Sequence, residues 1–287
     1  MSVKDVAISS TIAPDEYVVN NEMQREKSIH ALELLEGSFG TEDTSDQQFL
    51  DVGCGPGDFT RDCLLPRCPP CRRIMAVDAS EDMVQYAQEH FAHPKICYDV
   101  LDIGSKDVSD FIVRHGEFDR VYSFFCLHWM TDQETVLKNV AKLMKPGGGC
   151  LLLFNASSPA MRFRKKMAEM ERWQKYRELC ASCVPPSIDL ADKGAFIAYL
   201  TGLVNAAGLL PTTCELLRVQ RTFSSLEKAI DYYIVMNRLT TVVKEEERPL
   251  LLEDVTEQAK EWWAQKEAGG SPFDSQVFLV HALKPAS

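Results

Sequence analysis

The stretch 48-QFLDVGCGPGDFT-60 decides how this chain folds. Phe49, Leu50 and Val52 make a short apolar run, and Gly53, Gly55 and Gly57 follow at once in G-x-G-x-G spacing. An apolar run that ends in glycines reads as a buried strand. The glycines let a ligand approach the backbone closely before a helix begins. Working outward, the same rhythm recurs. RIMAVDAS (73–80) reads as a second strand ending in an acid, SEDMVQYAQEHF (80–91) as a helix, KICYDVLDI (95–103) as a third strand and 107–115 as a short helix. FDRVYSFFCLHW (118–129) is a fourth strand with its exit. TDQETVLKNVAKLMKPGGG (131–149) is a helix with a Thr131/Glu134 capping box. CLLLFNAS (150–157) is a fifth strand whose unbroken apolar run suits a parallel strand covered on both faces. Alternating strands and helices predict a doubly wound α/β sheet with its ligand crevice at the carboxyl ends of the strands.

Upstream, residues 1–15 are polar and read as loose, 17–35 as one helix and 37–46 as an acidic break. Downstream the rhythm changes. PAMRFRKKMAEMERWQKYREL (159–179) reads as one basic amphipathic helix capped by Ser158, and 192–208 as another helix. A strand at 214–223, a helix at 224–239 opened by a Ser224/Glu227 box, a long helix at 245–267 and a last strand at 275–285 complete the chain.

Composition narrows the partners. The 287 residues carry a net charge of −11, with 45% hydrophobic and 25% charged residues. An acidic surface repels phosphate backbones, which argues against nucleic acid, and no polybasic run or long apolar run points to a membrane. The N-terminus lacks the apolar centre of a secretory signal, so the ten cysteines read as reduced thiols in a cytoplasmic protein. Cys68/Cys71 and Cys180/Cys183 have the ligand count of a zinc site but lie far apart in sequence, with no further Cys/His cluster near either pair. No metal site is expected, and a thioredoxin-like redox role for Cys68 and Cys71 is disfavoured because no clear helix opens there.

Three features sharpen the glycine turn. Asp51 precedes it, and a carboxylate there would repel a pyrophosphate but attract a cation. The spacing is not the G-x-G-x-x-G of dinucleotide sites. Asp78 ends the second strand, where an acid can take both ribose hydroxyls. Asp102 closes the third strand and can accept from an adenine amine, with Met83 and Ile103 as apolar walls. A ligand with an adenosine, a positive centre and no pyrophosphate is S-adenosyl-L-methionine. The cofactor set is therefore Asp51, Gly53, Cys54, Gly55, Gly57, Asp78, Ala79, Met83, Asp102, Ile103 and Ser123.

DVGCGPGDFT, VDAS, VLDI and KPGGGCLLLF resemble the motifs of class I methyltransferases over about residues 45–157. That resemblance implies a Rossmann-like, mostly parallel sheet flanked by helices, with helical additions at the acceptor site. It divides a single domain over 1–287 into an N-terminal helical lid (1–44), a cofactor core (45–157) and acceptor-site helices with the final strands (158–287). EYVVNNEMQREKSIHALELL and SFFCLHWMTDQETVLKNVAKLMKPGGGCLLLF are similar to the juvenile hormone acid O-methyltransferase family. The likeness implies that Gln24 and Trp129 hold the carboxylate of a small acid, such as a sesquiterpenoid acid of juvenile hormone biosynthesis. It implies no particular oligomeric state.

The residue types suit that chemistry. A carboxylate is already ionised at neutral pH, so two neutral donors suffice to orient it, whereas an arginine fork would draw charge from the nucleophile. His128 would be the base if the acceptor were a hydroxyl, but strand alternation points it away from Trp129 and into a packing role. The same glycine turn and acids would also serve a non-catalytic protein that binds S-adenosylmethionine. A nicotinamide-dependent reductase is disfavoured by the glycine spacing and by Asp51. Met161, Phe163, Met167, Met170, Trp173, Tyr232, Tyr233, Met236, Trp262 and Trp263 read chiefly as core, with some lining an apolar acceptor tunnel. Arg162, Arg164, Lys165 and Lys166 read as a solvated helix face.

Overall fold

All five residues of β1 (Gln48–Val52) are buried, because this strand runs through the middle of a seven-stranded sheet. The computed structural model describes residues 12–35 and 44–286. The expectations for 1–11, for 36–43 and for the corresponding parts of the N-terminal lid lie outside the described residues. The remaining strands are β2 (Arg73–Asp78), β3 (Ile96–Val100), β4 (Phe118–Phe124), β5 (Met144–Ser157), β6 (Leu210–Val219) and β7 (Ser275–Leu283), in the order β3-β2-β1-β4-β5-β7-β6. β1 to β5 pair in parallel, and β7 runs antiparallel between β5 and β6. The order reverses between β1 and β4, so the crevice of a doubly wound sheet opens beyond Val52 and Phe124.

The helices are α1 (Pro14–Asn20), α2 (Glu22–Leu35), α3 (Glu81–His90), α4 (Ser109–His115), α5 (Gln133–Leu143), α6 (Pro159–Glu169), α7 (Arg177–Ala181), α8 (Lys193–Ala206), α9 (Leu226–Val235) and α10 (Arg248–Glu267). One apolar cluster packs α5 and α8 against Leu50, Val121, Leu152 and Phe278. A second packs α2 against Phe49, Tyr122, Leu151 and Leu279. A third joins α6, α7, α9 and α10 through Phe163, Met167, Trp173, Tyr233, Trp262 and Phe273. Most of the aromatic and methionine residues of the second half thus form a small core of their own. Trp173 settles its indole N–H there on Asp254 at 2.7 Å.

Several boundaries differ from expectation. The helix expected over 17–35 is two helices that part at Asn21, whose side-chain amide donates to Asp58. α5 is capped by Asp132, which accepts from the N–H of Thr135, rather than by Thr131. It ends at Leu143 because Pro146 and the following glycines favour the strand. α9 is capped by Ser225, not Ser224. The expected helix 159–179 is broken by a 3-10 stretch at Glu171–Tyr176, although Ser158 does cap its first part.

Gly57 shows why the loop needs glycine. Its φ is +85°, and a Cβ there would lie 2.7 Å from Tyr98 Oη and 2.8 Å from Ala87 Cβ. β3 and α3 therefore close onto the loop at a point where no side chain fits. Gly57→Ala should cost about 2–4 kcal/mol, read as a lower midpoint in denaturant. Gly202→Ala on α8 is the control: nothing lies within 4 Å of its Cβ position, so it should gain up to about 1 kcal/mol.

Candidate active site

The ends of β1 to β4 surround a cavity of about 370 Å3. Gly53 and Gly55 come from the turn after β1, Asp78, Ala79 and Met83 from the β2 end, and Asp102 and Ile103 from the β3 end. Phe125, Cys126 and Trp129 close it from the β4 exit. Gly53 sits at φ +77°, and a Cβ there would meet Cys126 at 2.3 Å, so the two loops touch backbone to side chain.

The carboxylate of Asp78 is fixed from behind. Its Oδ2 accepts the N–H of Gly55 at 2.9 Å, and its Oδ1 accepts the N–H of Ser80 at 3.0 Å. Burial raises its pKa, and these backbone bonds oppose the rise. Asp102 Oδ1 accepts the N–H of Gly104 at 2.9 Å. A carboxylate has about four lone-pair sites, so each can still accept from a ligand, and Met83 and Ile103 supply apolar wall between them. That set of acceptors and apolar walls fits an adenosine: an acid to accept from the ribose diol, an acid to accept from the amine and apolar faces for the ring.

Asp51 lies behind the turn. It is buried, accepts from Thr60 Oγ1 at 2.6 Å, and burial pushes its pKa up to about 7. With Cys54, Gly53 and Gln24 it lines a side cavity of about 40 Å3. A cation beside this carboxylate would relieve its desolvation, which suits the positive end of S-adenosylmethionine.

Two expected cofactor residues stand elsewhere. Ser123 is fully buried within β4 and donates to the carbonyl of Val52 at 2.8 Å, so it joins β4 to β1 and lines none of these cavities. Gly57 faces β3 and α3, as above, and lines none of these cavities.

An inner cavity of about 60 Å3 adjoins the first. Tyr17, Phe125 and Trp129 line both. Gln24 and His128 line the inner one together with Asn155, Arg164, Tyr232 and Met236. Gln24 is buried, and its Oε1 has no hydrogen-bond partner among the described residues. His128 does not point away from Trp129 as strand alternation implied. Residues Leu127–Trp129 form a 3-10 turn, so alternation ends at β4, and the two rings lie 5.2 Å apart on the same cavity. Burial and the nearby Arg164 push the His128 pKa down to about 3. Arg164 corrects a second expectation: it is buried, not solvated, and its guanidinium lies 4.6 Å from the Trp129 ring centroid. Arg238 lies over the same indole at 5.2 Å.

Sequence patterns do not mark Tyr17 or Phe125 as site residues. Phe125 has φ +52°, unusual for a bulky residue, and no sequence pattern signals it. Arg164, read above as solvated, did carry a signal. Met161, Arg164 and Ala168 are buried at helical spacing, so the arginine occupies a core position of an amphipathic helix.

Residues 49–148 match the family description of a methyltransferase domain. That match covers 100 of the 287 residues, and the sheet order and acid-lined crevice agree with the class I fold of S-adenosylmethionine-dependent methyltransferases. Its relatives include the juvenile hormone acid O-methyltransferase of Drosophila melanogaster, 31% identical over 58% of this chain and 56% of that protein. The enzyme of the same name from Bombyx mori is 31% identical over 62% of this chain and 63% of its own length. The chain thus matches less than two thirds of either relative. A solved structure from Bacillus halodurans, described as a candidate methyltransferase, is similar with a TM-score of 0.53 at 17% identity, covering 88% of this chain and 98% of that one. At that identity the likeness speaks for the fold alone.

Proposed function

We propose that this protein is a carboxyl O-methyltransferase that converts a small apolar carboxylic acid to its methyl ester, with a sesquiterpenoid acid such as farnesoic acid or juvenile hormone acid as the acceptor. The observation that carries the proposal is the position of Trp129, on the wall shared by the cofactor cavity and the inner cavity, with buried Gln24 lining the latter. When bound, S-adenosylmethionine supplies an electrophilic methyl group. Asp78 and Asp102 would hold its adenosine, and Asp51 would face its positive end. Gln24 and Trp129 would orient the acceptor carboxylate, which needs no base because it is ionised at neutral pH. Phe125, Tyr232 and Met236 would exclude water around it. The two relatives named for juvenile hormone acid support the acceptor class. One observation favours a second, narrower reading: about 60 Å3 admits a short acid more readily than a long chain. No described helix is long and apolar enough to cross a membrane, and the ten cysteines are free, which suits the proposed cytoplasmic setting.

Methyl transfer from labelled cofactor to a panel of farnesoic acid, short monocarboxylic and dicarboxylic acids, and phenols tests the reading. Ester formation on an acid is expected; methylation of phenols with no acid would overturn it. The pH profile separates carboxylate from hydroxyl transfer. His128 is neutral at any pH well above about 3, so it contributes no break near its ordinary pKa. His128→Asn should change kcat on an acid by less than about tenfold between pH 6 and 9, whereas loss of a general base would cost roughly 10²–10⁴-fold.

A further inference from the structure

Among the described residues, Arg164 is a buried cation with no buried anion to match it. It is 6% exposed, and α6 carries it into the inner cavity. One of its terminal nitrogens donates to the carbonyl of Met236 at 2.9 Å, while its Nε is buried without a hydrogen-bond partner among the described residues. No described carboxylate pairs with it, and no described aspartate or glutamate lines the inner cavity. Its other neighbours include the Trp129 ring at 4.6 Å, the Cys180 and Cys183 thiols and the cationic Arg238, with Arg221 in the same cavity wall. A guanidinium taken out of water is costly unless an anion answers it. Cation–π contact offsets only part of that cost. The unmatched charge sits beside Gln24, His128 and Trp129, in a protein whose net charge is −11.

We infer that Arg164 is an anion-recognition residue that selects the ionised form of the acceptor and positions it against Trp129. This inference rests on the inner cavity being the acceptor site, and it extends that reading to an electrostatic filter. A hydroxyl or amide acceptor of the same shape would leave the guanidinium unanswered, so the cavity would discriminate by charge before any chemistry. Arg164 lines the inner cavity and not the cofactor cavity. It therefore supplies attraction from the far side of the indole, and Gln24 and Trp129 remain the neutral donors that orient the carboxylate.

Calorimetry on protein saturated with S-adenosylhomocysteine tests this without turnover. The probes are farnesoate and hexanoate, each against its neutral primary amide. At least one carboxylate should bind about 30-fold or more tighter than its amide. Arg164→Met should remove that preference while leaving S-adenosylhomocysteine affinity within about twofold, and Arg164→Lys should restore part of it. If Arg164→Met does not fold, the wild-type comparison and Arg164→Lys still decide. Equal binding of acid and amide, absence of carboxylate binding, or an Arg164→Met or Arg164→Lys variant with neither its preference nor its affinity altered would each overturn the inference. A carboxylate that binds through Arg164 yet is never methylated would overturn the proposed reaction and leave this inference standing.

Discussion

Asp78→Asn should weaken S-adenosylhomocysteine binding by about 100-fold, and calorimetry at neutral pH is the direct measurement. Both oxygens of Asp78 are already engaged from behind, Oδ2 by the N–H of Gly55 and Oδ1 by the N–H of Ser80. An asparagine can keep only one of those contacts, because its amide nitrogen would set a donor against a donor at the other. The substitution also removes the charge that makes bonds to a ribose diol strong. Two charge-assisted bonds at about 1.5 kcal/mol each give the hundredfold figure. Asp102→Asn should cost less, since an asparagine oxygen can retain the bond from the Gly104 N–H. An Asp78→Asn protein that binds within a few-fold of wild type would show that the ribose lies elsewhere in the crevice.

This part of the site was legible because it is local. A buried strand, a glycine turn and an acid at the next strand end are short patterns whose chemistry depends on neighbours in sequence. The same locality explains the sheet, since each β–α unit announces itself by a change of hydrophobic period. The caps shifted by one position, Asp132 for Thr131 and Ser225 for Ser224, are competing acceptors side by side, and the strand or loop that precedes each helix chooses between them. Ser123 falls outside the cavity for a related reason. β4 runs on to Phe124, so Ser123 bonds within the sheet and the cavity wall begins only at Phe125.

The inner cavity was legible only in fragments. Its walls come from α1 and α2, the β4 exit, the end of β5, α6, the region from Arg221 to Met236 and the start of β7. These walls are spread over most of the chain, so no short pattern describes them together. That is why Gln24 and Trp129 stand out through a family likeness, Tyr17 emerges only with the fold, and Arg164 is marked in the sequence only by its helical spacing from Met161 and Ala168. A lysine or arginine on an amphipathic helix is usually solvated. Arg164 departs from that rule because α6 buries the face that carries it, in line with Met161 and Ala168.

Trp129 carries the largest expected effect. Trp129→Ala should lower kcat/KM for the acid by about 10³-fold, and Trp129→Phe by roughly 10- to 100-fold. The two variants remove different things. Phenylalanine keeps a ring beneath the guanidiniums of Arg164 and Arg238, which lie 4.6 and 5.2 Å from the indole centroid, and loses only the N–H donor. Alanine also opens the wall between the cofactor cavity and the inner cavity, so the carboxylate loses its stop as well as its donor. S-adenosylhomocysteine affinity should fall less than about tenfold in either, since the adenosine contacts lie at Asp78 and Asp102. A double-mutant cycle with Gln24→Ala then asks whether both residues hold one carboxylate. If they do, the second substitution should cost less in the background of the first, because a carboxylate that has lost one donor is already misplaced for the other. Additive losses, or a Trp129→Phe enzyme with unchanged kcat, would show that the indole N–H does not orient the acceptor.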